Sequence, residues 1–185
     1  NPNDLFNAYS FFDFDYVERP GSDAFRVKKY LGFASSLELA VNMADDFDEL
    51  VLASMFRWHK WNYDFQFIGA KAKEDVAVGA AWAGNLKKAG FKGEATFFYP
   101  YKNKTQNEPL LMAVVSADYA FKNTLYLHLA VLFNSDGSDE LGVIGFSNSD
   151  RLSARNLSPF PWSIFLQSTY QFHPLLTGGL ATIYF

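Results

Sequence analysis

The sequence predicts an all-β chain: an antiparallel up-and-down transmembrane β-barrel with about ten strands visible. Three observations predict it. Apolar and polar residues alternate with a period of two over most of residues 24–185, the signature of strands with two different faces. The alternating runs are about ten residues long, the length a tilted strand needs to cross a bilayer. The 185 residues include 4 Trp, 10 Tyr and 20 Phe, or 18% aromatic, and yet the chain is near neutral in mean hydropathy. That richness in rings excludes intrinsic disorder. No stretch approaches the 18 uncharged apolar residues of a helical span. The net charge of −4 argues against a nucleic-acid footprint. With 0 Cys there is neither a disulfide framework nor thiolate chemistry.

The elements follow in order. Residues 1–23 hold aromatics without clean periodicity, together with Pro2, Pro20 and Gly21, and are expected to form an N-terminal loop or entering segment. They show no basic stretch followed by an apolar run, so any signal peptide is expected to have been removed. Residues 24–185 are expected to be the barrel strands. The clearest runs place Leu37, Leu39, Val41 and Met43 opposite Glu38, Ala40, Asn42 and Ala44, and Tyr63, Phe65, Phe67 and Gly69 opposite Asp64, Gln66, Ile68 and Ala70. Similar runs cover 91–99, 125–133 and 162–172, and weaker ones fill 24–33, 49–60, 74–85, 109–121 and 176–185. One rival stands at 36–57, where Ser36 could cap a helix carrying Leu37, Ala40, Val41 and Ala44 at helical spacing. Its middle would hold Asp45, Asp46 and Asp48, and Asp is a poor helix former.

The connections alternate in character. Those near 33–36, 59–62, 85–90, 121–124 and 172–178 are short. Between them fall the acidic 45–49, the charged 71–75, the polar 101–109 and a long loop, 134–161, expected to be mobile or functional. Short turns on one rim and longer loops on the other suit an outer-membrane barrel.

Alternation defines two faces without saying which points outward. A soluble barrel or sandwich buries its apolar face, whereas a membrane barrel turns it to lipid. The rings favour lipid. Trp58, Trp61, Tyr63, Trp82, Tyr99, Tyr119, Trp162 and Tyr170 crowd the strand ends, where amphipathic rings meet headgroups, and are expected to be membrane-interface aromatics. The opposite face carries Glu38, Arg57, Asp64, Lys92, Glu94, Asp118 and His128 among Ala, Ser, Thr and Gln, as a hydrated lumen wall would.

Little points to catalysis. His59, His128 and His173 lack metal-ligand spacing, so no metal is expected. His128 with Ser116 or Ser168 could form a lipase-like pair, if within hydrogen-bond reach. The pairs Glu38/Asp64 and Glu94/Asp118 could imitate a glycosidase's two carboxylates, but with Arg57 and Lys92 on the same face they read as lumen ion pairs. Phosphate-loop, dinucleotide and nucleophile-elbow motifs are missing, and no cofactor is expected.

The runs SSLELAV (35–41), FRWHKWNYDFQFIGAKAKEDVAVGAAWAGNLKKAGFKGEATFF (56–98), SADYAFKNTLYLHLAVLFNS (116–135) and LSARNLSPFPWSIFLQSTYQFHPLLTGGLATIYF (152–185) resemble an uncharacterised family of outer-membrane β-barrel proteins of Bacteroidetes-type bacteria, porin-like in character. The resemblance covers most of 24–185 and implies an outer-membrane location and further strands beyond these, but no transferable functional residues. The closing Ala181, Ile183 and Phe185 are similar in part to a barrel-assembly signal. The resulting expectation is a non-enzymatic, porin-like passive channel. Its partners would be the lipid bilayer and other outer-membrane proteins, and nucleic acid would not be among them. The alternatives are a non-conducting scaffold barrel, a soluble β-barrel binding an apolar ligand, and a membrane-embedded lipase or acyltransferase at His128.

Overall fold

A computed structural model of the chain describes residues 24–32, 34–42, 50–72, 75–101, 108–138 and 158–185. The strands are β1 (Ala24–Tyr30), β2 (Ser36–Asn42), β3 (Val51–Lys60), β4 (Tyr63–Ala72), β5 (Asp75–Leu86), β6 (Ala89–Pro100), β7 (Leu110–Ala120), β8 (Tyr126–Asn134), β9 (Trp162–His173) and β10 (Leu176–Tyr184). Each pairs antiparallel with its sequence neighbour, giving one up-and-down sheet ordered β1 to β10. β1 and β10 remain edge strands, so the sheet is not closed into a barrel. The described residues contain no helix. The segment 1–23, the acidic run 45–49 and residues 139–157 of the long loop lie outside them.

The helical rival at 36–57 does not form in its described parts. Residues 36–42 and 51–57 are strands that pair with each other, from Ser36↔Arg57 to Asn42↔Val51. The connection expected at 71–75 is shorter than its charges imply. Lys71 and Ala72 continue β4, Asp75 opens β5, and the ladder runs on through Lys71↔Val76 and Ala72↔Asp75. A lysine at a strand end keeps its backbone in the ladder while its long stem carries the charge away; here Lys71 Nζ donates to the Leu50 carbonyl, 3.2 Å away. The described base of the long loop is stitched down, with Asn134 N donating to Pro161 O at 2.9 Å and Asn134 Nδ2 to Ser158 O at 2.6 Å.

The two-residue turn Trp61-Asn62 has φ of 56° and 59°. Two successive positive φ values are the two-residue hairpin geometry whose twist matches the strands, a place usually taken by Asn-Gly.

The register separates two faces. The inner face borders a cavity lined from β3 through β7, which makes it the concave side. Near the long-connection rim it holds the buried core: Ala53, Ala70, Ala77, Phe98, Leu110 and Met112. The outer face is convex and apolar, and its large side chains stand exposed, Leu129 by 45% and Leu180 by 72%. Two outer rings lie on glycines across the ladder: Tyr63 on Gly84, and Trp82 on Gly93. A Cβ at either glycine would overlap the ring, so these glycines are seats for aromatics.

Candidate functional site

Charge is distributed very unequally between the faces. Among the strand residues, the outer face carries only Lys29, Lys60 and Lys71, each at or next to a strand end. The inner face carries Arg26, Lys28, Glu38, Arg57, Asp64, Asp75, Lys92, Glu94 and Asp118. All seven residues expected to share a polar face do share one, including His128, which sits opposite Asp118.

Four of the seven, Arg57, Asp64, Lys92 and Glu94, line one open cavity of about 620 Å³ on the short-turn half of the inner face. Gln66 and Ser116 complete its polar wall, and Ala81 and Ala83 on β5 leave the space above them empty. Trp58, Phe65, Trp82 and Gly93 also border it, although strand parity directs their side chains outward. Asp118 joins through Lys92, Nζ to Oδ1 at 3.4 Å. Asp64 accepts from His59, Nδ1 to Oδ1 at 2.7 Å. Arg57 makes no ion pair among the described residues.

Glu38 stands apart. It is 8% exposed, and Arg26 Nε reaches its Oε1 at 2.8 Å while Oε2 has no hydrogen-bond partner among the described residues. Parity correctly gave its face; its distance from the cavity depends on register, since β2 lies outside the strands that line it. Arg26 and Gln66 were not singled out from the sequence, although the same parity marks both.

Among the described residues, the pairs weighed from the sequence are not brought together. Ser168 faces outward opposite Leu127, on the other side of the sheet from His128. Ser116 shares the inner face, but no hydrogen bond joins it to His128, whose ring instead meets Phe165 edge-on at 5.7 Å. Glu38 and Asp64 are two strands and four residues apart in register, which puts their Cα atoms about 16 Å apart at standard spacings. Glu94 and Asp118 come out about 14 Å apart in the same way. Neither pair stands directly opposite in the ladder: Glu38 faces Met55 and Glu94 faces Val114. The described residues hold no cluster of three potential metal ligands.

The eight expected interface aromatics all lie on the outer face or, for Trp61, in a turn. They form two bands. Along the short-turn rim, Trp58 lies 6.3 Å from Trp61 and 5.9 Å from Phe65, Trp82 lies 5.7 Å from Phe91, and Tyr170 lies 4.9 Å from Phe172. Tyr63 and Tyr119 belong to the same band. Toward the long-connection rim stand Tyr99, Phe133 and Trp162, the last two 4.7 Å apart. Phe185, with Ala181 and Ile183, follows the inner parity, and its ring meets Phe160 at 4.5 Å. No family model, curated protein or solved structure matches the chain.

Proposed function

We propose that this sheet is the wall of an outer-membrane β-barrel that works as a porin-like passive channel for small solutes. The observation that carries the reading is the sorting of charge. The outer face has no carboxylate in any strand, and its three lysines sit where their ammonium groups reach a membrane surface. A cation in the middle of a lipid face costs about 2–4 kcal/mol, and the outer face holds none there. The aromatic bands fit the same picture. Phe91 and Tyr99 on β6, like Trp162 and Tyr170 on β9, are eight residues apart, about 26 Å along a strand and about 20 Å along the normal of a tilted barrel. That is close to the height of an apolar belt between two girdles.

The cavity supplies the channel half of the reading. Arg57, Lys92, Asp64 and Glu94 give a wall with both signs of charge, able to pass hydrated solutes and to bias ion preference. Ten strands closed on themselves would leave a narrow lumen. An open pore therefore calls for further strands between β10 and β1. The non-conducting scaffold is favoured by one observation of its own: Phe98, Leu110 and Met112 pack the long-connection half of the inner face at 3% exposure or less. The soluble-barrel alternative wants its apolar surface on the cavity side, where Arg57, Asp64, Lys92 and Glu94 stand instead.

Reconstitution tests the reading in two steps. The folded chain should enter lipid vesicles and show heat-shifted gel mobility; a chain that stays in water without detergent removes the membrane. In planar bilayers the barrel completed by those further strands should give discrete conductance steps; a completed barrel that inserts and never conducts leaves the scaffold.

A further inference from the structure

We propose that the outer edge of the short-turn rim docks the phosphate headgroups of anionic phospholipids. The inference rests on the reading that the outer face meets lipid, and adds a headgroup class and a side of the barrel.

The first support is sign. The turns at this rim, 31–35, 61–62, 87–88, 121–125 and 174–175, contain Lys87, Lys88 and Lys122 and not one Asp or Glu. Lys29 and Lys60 add two cations at the adjoining strand ends of the outer face. The nearest carboxylates, Asp64 and Asp118, follow the inner parity and are engaged by His59 and Lys92. The segments joining strands at the opposite rim have, in sequence, twice as many carboxylates as cations, with Asp45, Asp46, Asp48 and Glu49 in the first alone. Of the two rims, only this one complements an anionic surface.

The second support is the placement of Lys60 and Trp61. The Lys60 ammonium lies 4.5 Å from the Trp61 ring centroid and 5.2 Å from that of Trp58. Cation–π attraction thus holds the charge at the level of the aromatic band, the depth of headgroups. Trp61 reaches that position with a φ of 56°, a strained conformation for a bulky residue. The residue is 73% exposed, so packing within the chain does little to offset that strain. A headgroup layer would offset it, by burying the indole body and pairing the neighbouring ammonium with phosphate. Each lysine near an anionic surface is worth about fivefold in association.

Tryptophan quenching tests this directly. In the Trp162→Phe chain the remaining indoles, Trp58, Trp61 and Trp82, all belong to the short-turn band. The protein is reconstituted in vesicles containing either phosphatidylglycerol or phosphatidylcholine brominated near the head of the acyl chain. Phosphatidylglycerol should quench with an apparent association at least about threefold stronger at low salt, and the preference should vanish near 0.5 M salt, about where exposed charges are screened. It should also vanish in the K60Q/K87Q/K88Q/K122Q chain and weaken in K87Q/K88Q, which touches turns only. Should Trp162→Phe fail to fold, the unaltered chain gives the same readout, since three of its four indoles lie on this rim. Equal quenching by the two lipids overturns the headgroup proposal and leaves the lipid-facing reading standing. Quenching by neither overturns both. A preference that survives the fourfold lysine variant overturns the assignment to these residues.

Discussion

The two faces of the sheet share every backbone hydrogen bond and still obey opposite rules. The outer face is large, apolar and exposed, with lysine as its only charge, kept to the strand ends. The inner face is small, mixed in charge and concave. In a water-soluble sheet the exposed side is the polar one; here the convex exposed side carries Leu129, Val115 and Ile164. The inner face is itself divided. Its long-connection half is packed around Leu110 and Met112, at 1% and 0% exposure, and its short-turn half opens into the charged cavity. The backbone ladder holds the sheet together everywhere, and the side chains decide separately what each surface meets.

Truncations should separate the faces most strongly. Leu110→Ala empties a packed site and is expected to cost about 2–5 kcal/mol. If the outer face meets lipid, Leu129→Ala should lose no more than the transfer part, about 2 kcal/mol, because lipid tails would fill the space that a protein core cannot. Urea unfolding of the two variants in vesicles measures the difference, and equal losses would break the distinction between packed and lipid-facing apolar surface.

Charge insertion comes next. Leu129→Arg puts a cation in the middle of the outer face and should cost about 2–4 kcal/mol in a bilayer. Ala130→Arg, one residue along but turned to the inner face, should cost less than about 1 kcal/mol, since that face already carries Arg57 and Lys92. A reversed order would exchange the faces.

The glycine seats give a smaller and more local test. Gly93→Ala pushes a methyl into the Trp82 indole and should cost about 1–3 kcal/mol, as overpacked sites do. Gly69→Ala, also on the outer face, meets only Ser54 Oγ at 3.6 Å, an ordinary contact, and should be neutral or gain up to about 1 kcal/mol. Thermal unfolding followed by near-ultraviolet dichroism reads both the stability and the loss of the ordered Trp82 signal.

Much of this was legible from parity alone. Period two assigns Arg57, Asp64, Lys92 and Glu94 to one side and Trp58, Trp82 and Tyr170 to the other without any coordinate. It also sets Ser168 in the Leu166–Tyr170 series, which already separates it from His128. Three things were not legible. Charge at a strand end reads as loop, which is why 71–75 appears longer than the two-residue connection it contains. Burial is not encoded in parity: Glu38 and Arg57 alternate alike, yet of the two only Arg57 lines the cavity. The choice between convex and concave needs the sheet's bend. No run of residues in one strand specifies it.

The smallest stability effect belongs to a charge of the cavity wall. Lys92 is 60% exposed and pairs with Asp118 at 3.4 Å, so solvent screens the pair and Lys92→Gln should change stability by less than about 0.5 kcal/mol. The same substitution removes one of the two cations lining the cavity and leaves Asp118 without its partner. If the inner face is a conducting wall, the field along it turns more negative, and cation-over-anion permeability should rise about two- to threefold at low salt and converge with the unaltered protein at high salt. Reversal potentials across an asymmetric salt gradient measure that ratio. Lys29→Gln, on the outer face, should leave it unmoved. A Lys92→Gln channel with unchanged selectivity would place the solute path away from this cavity and confine the cavity to a structural part.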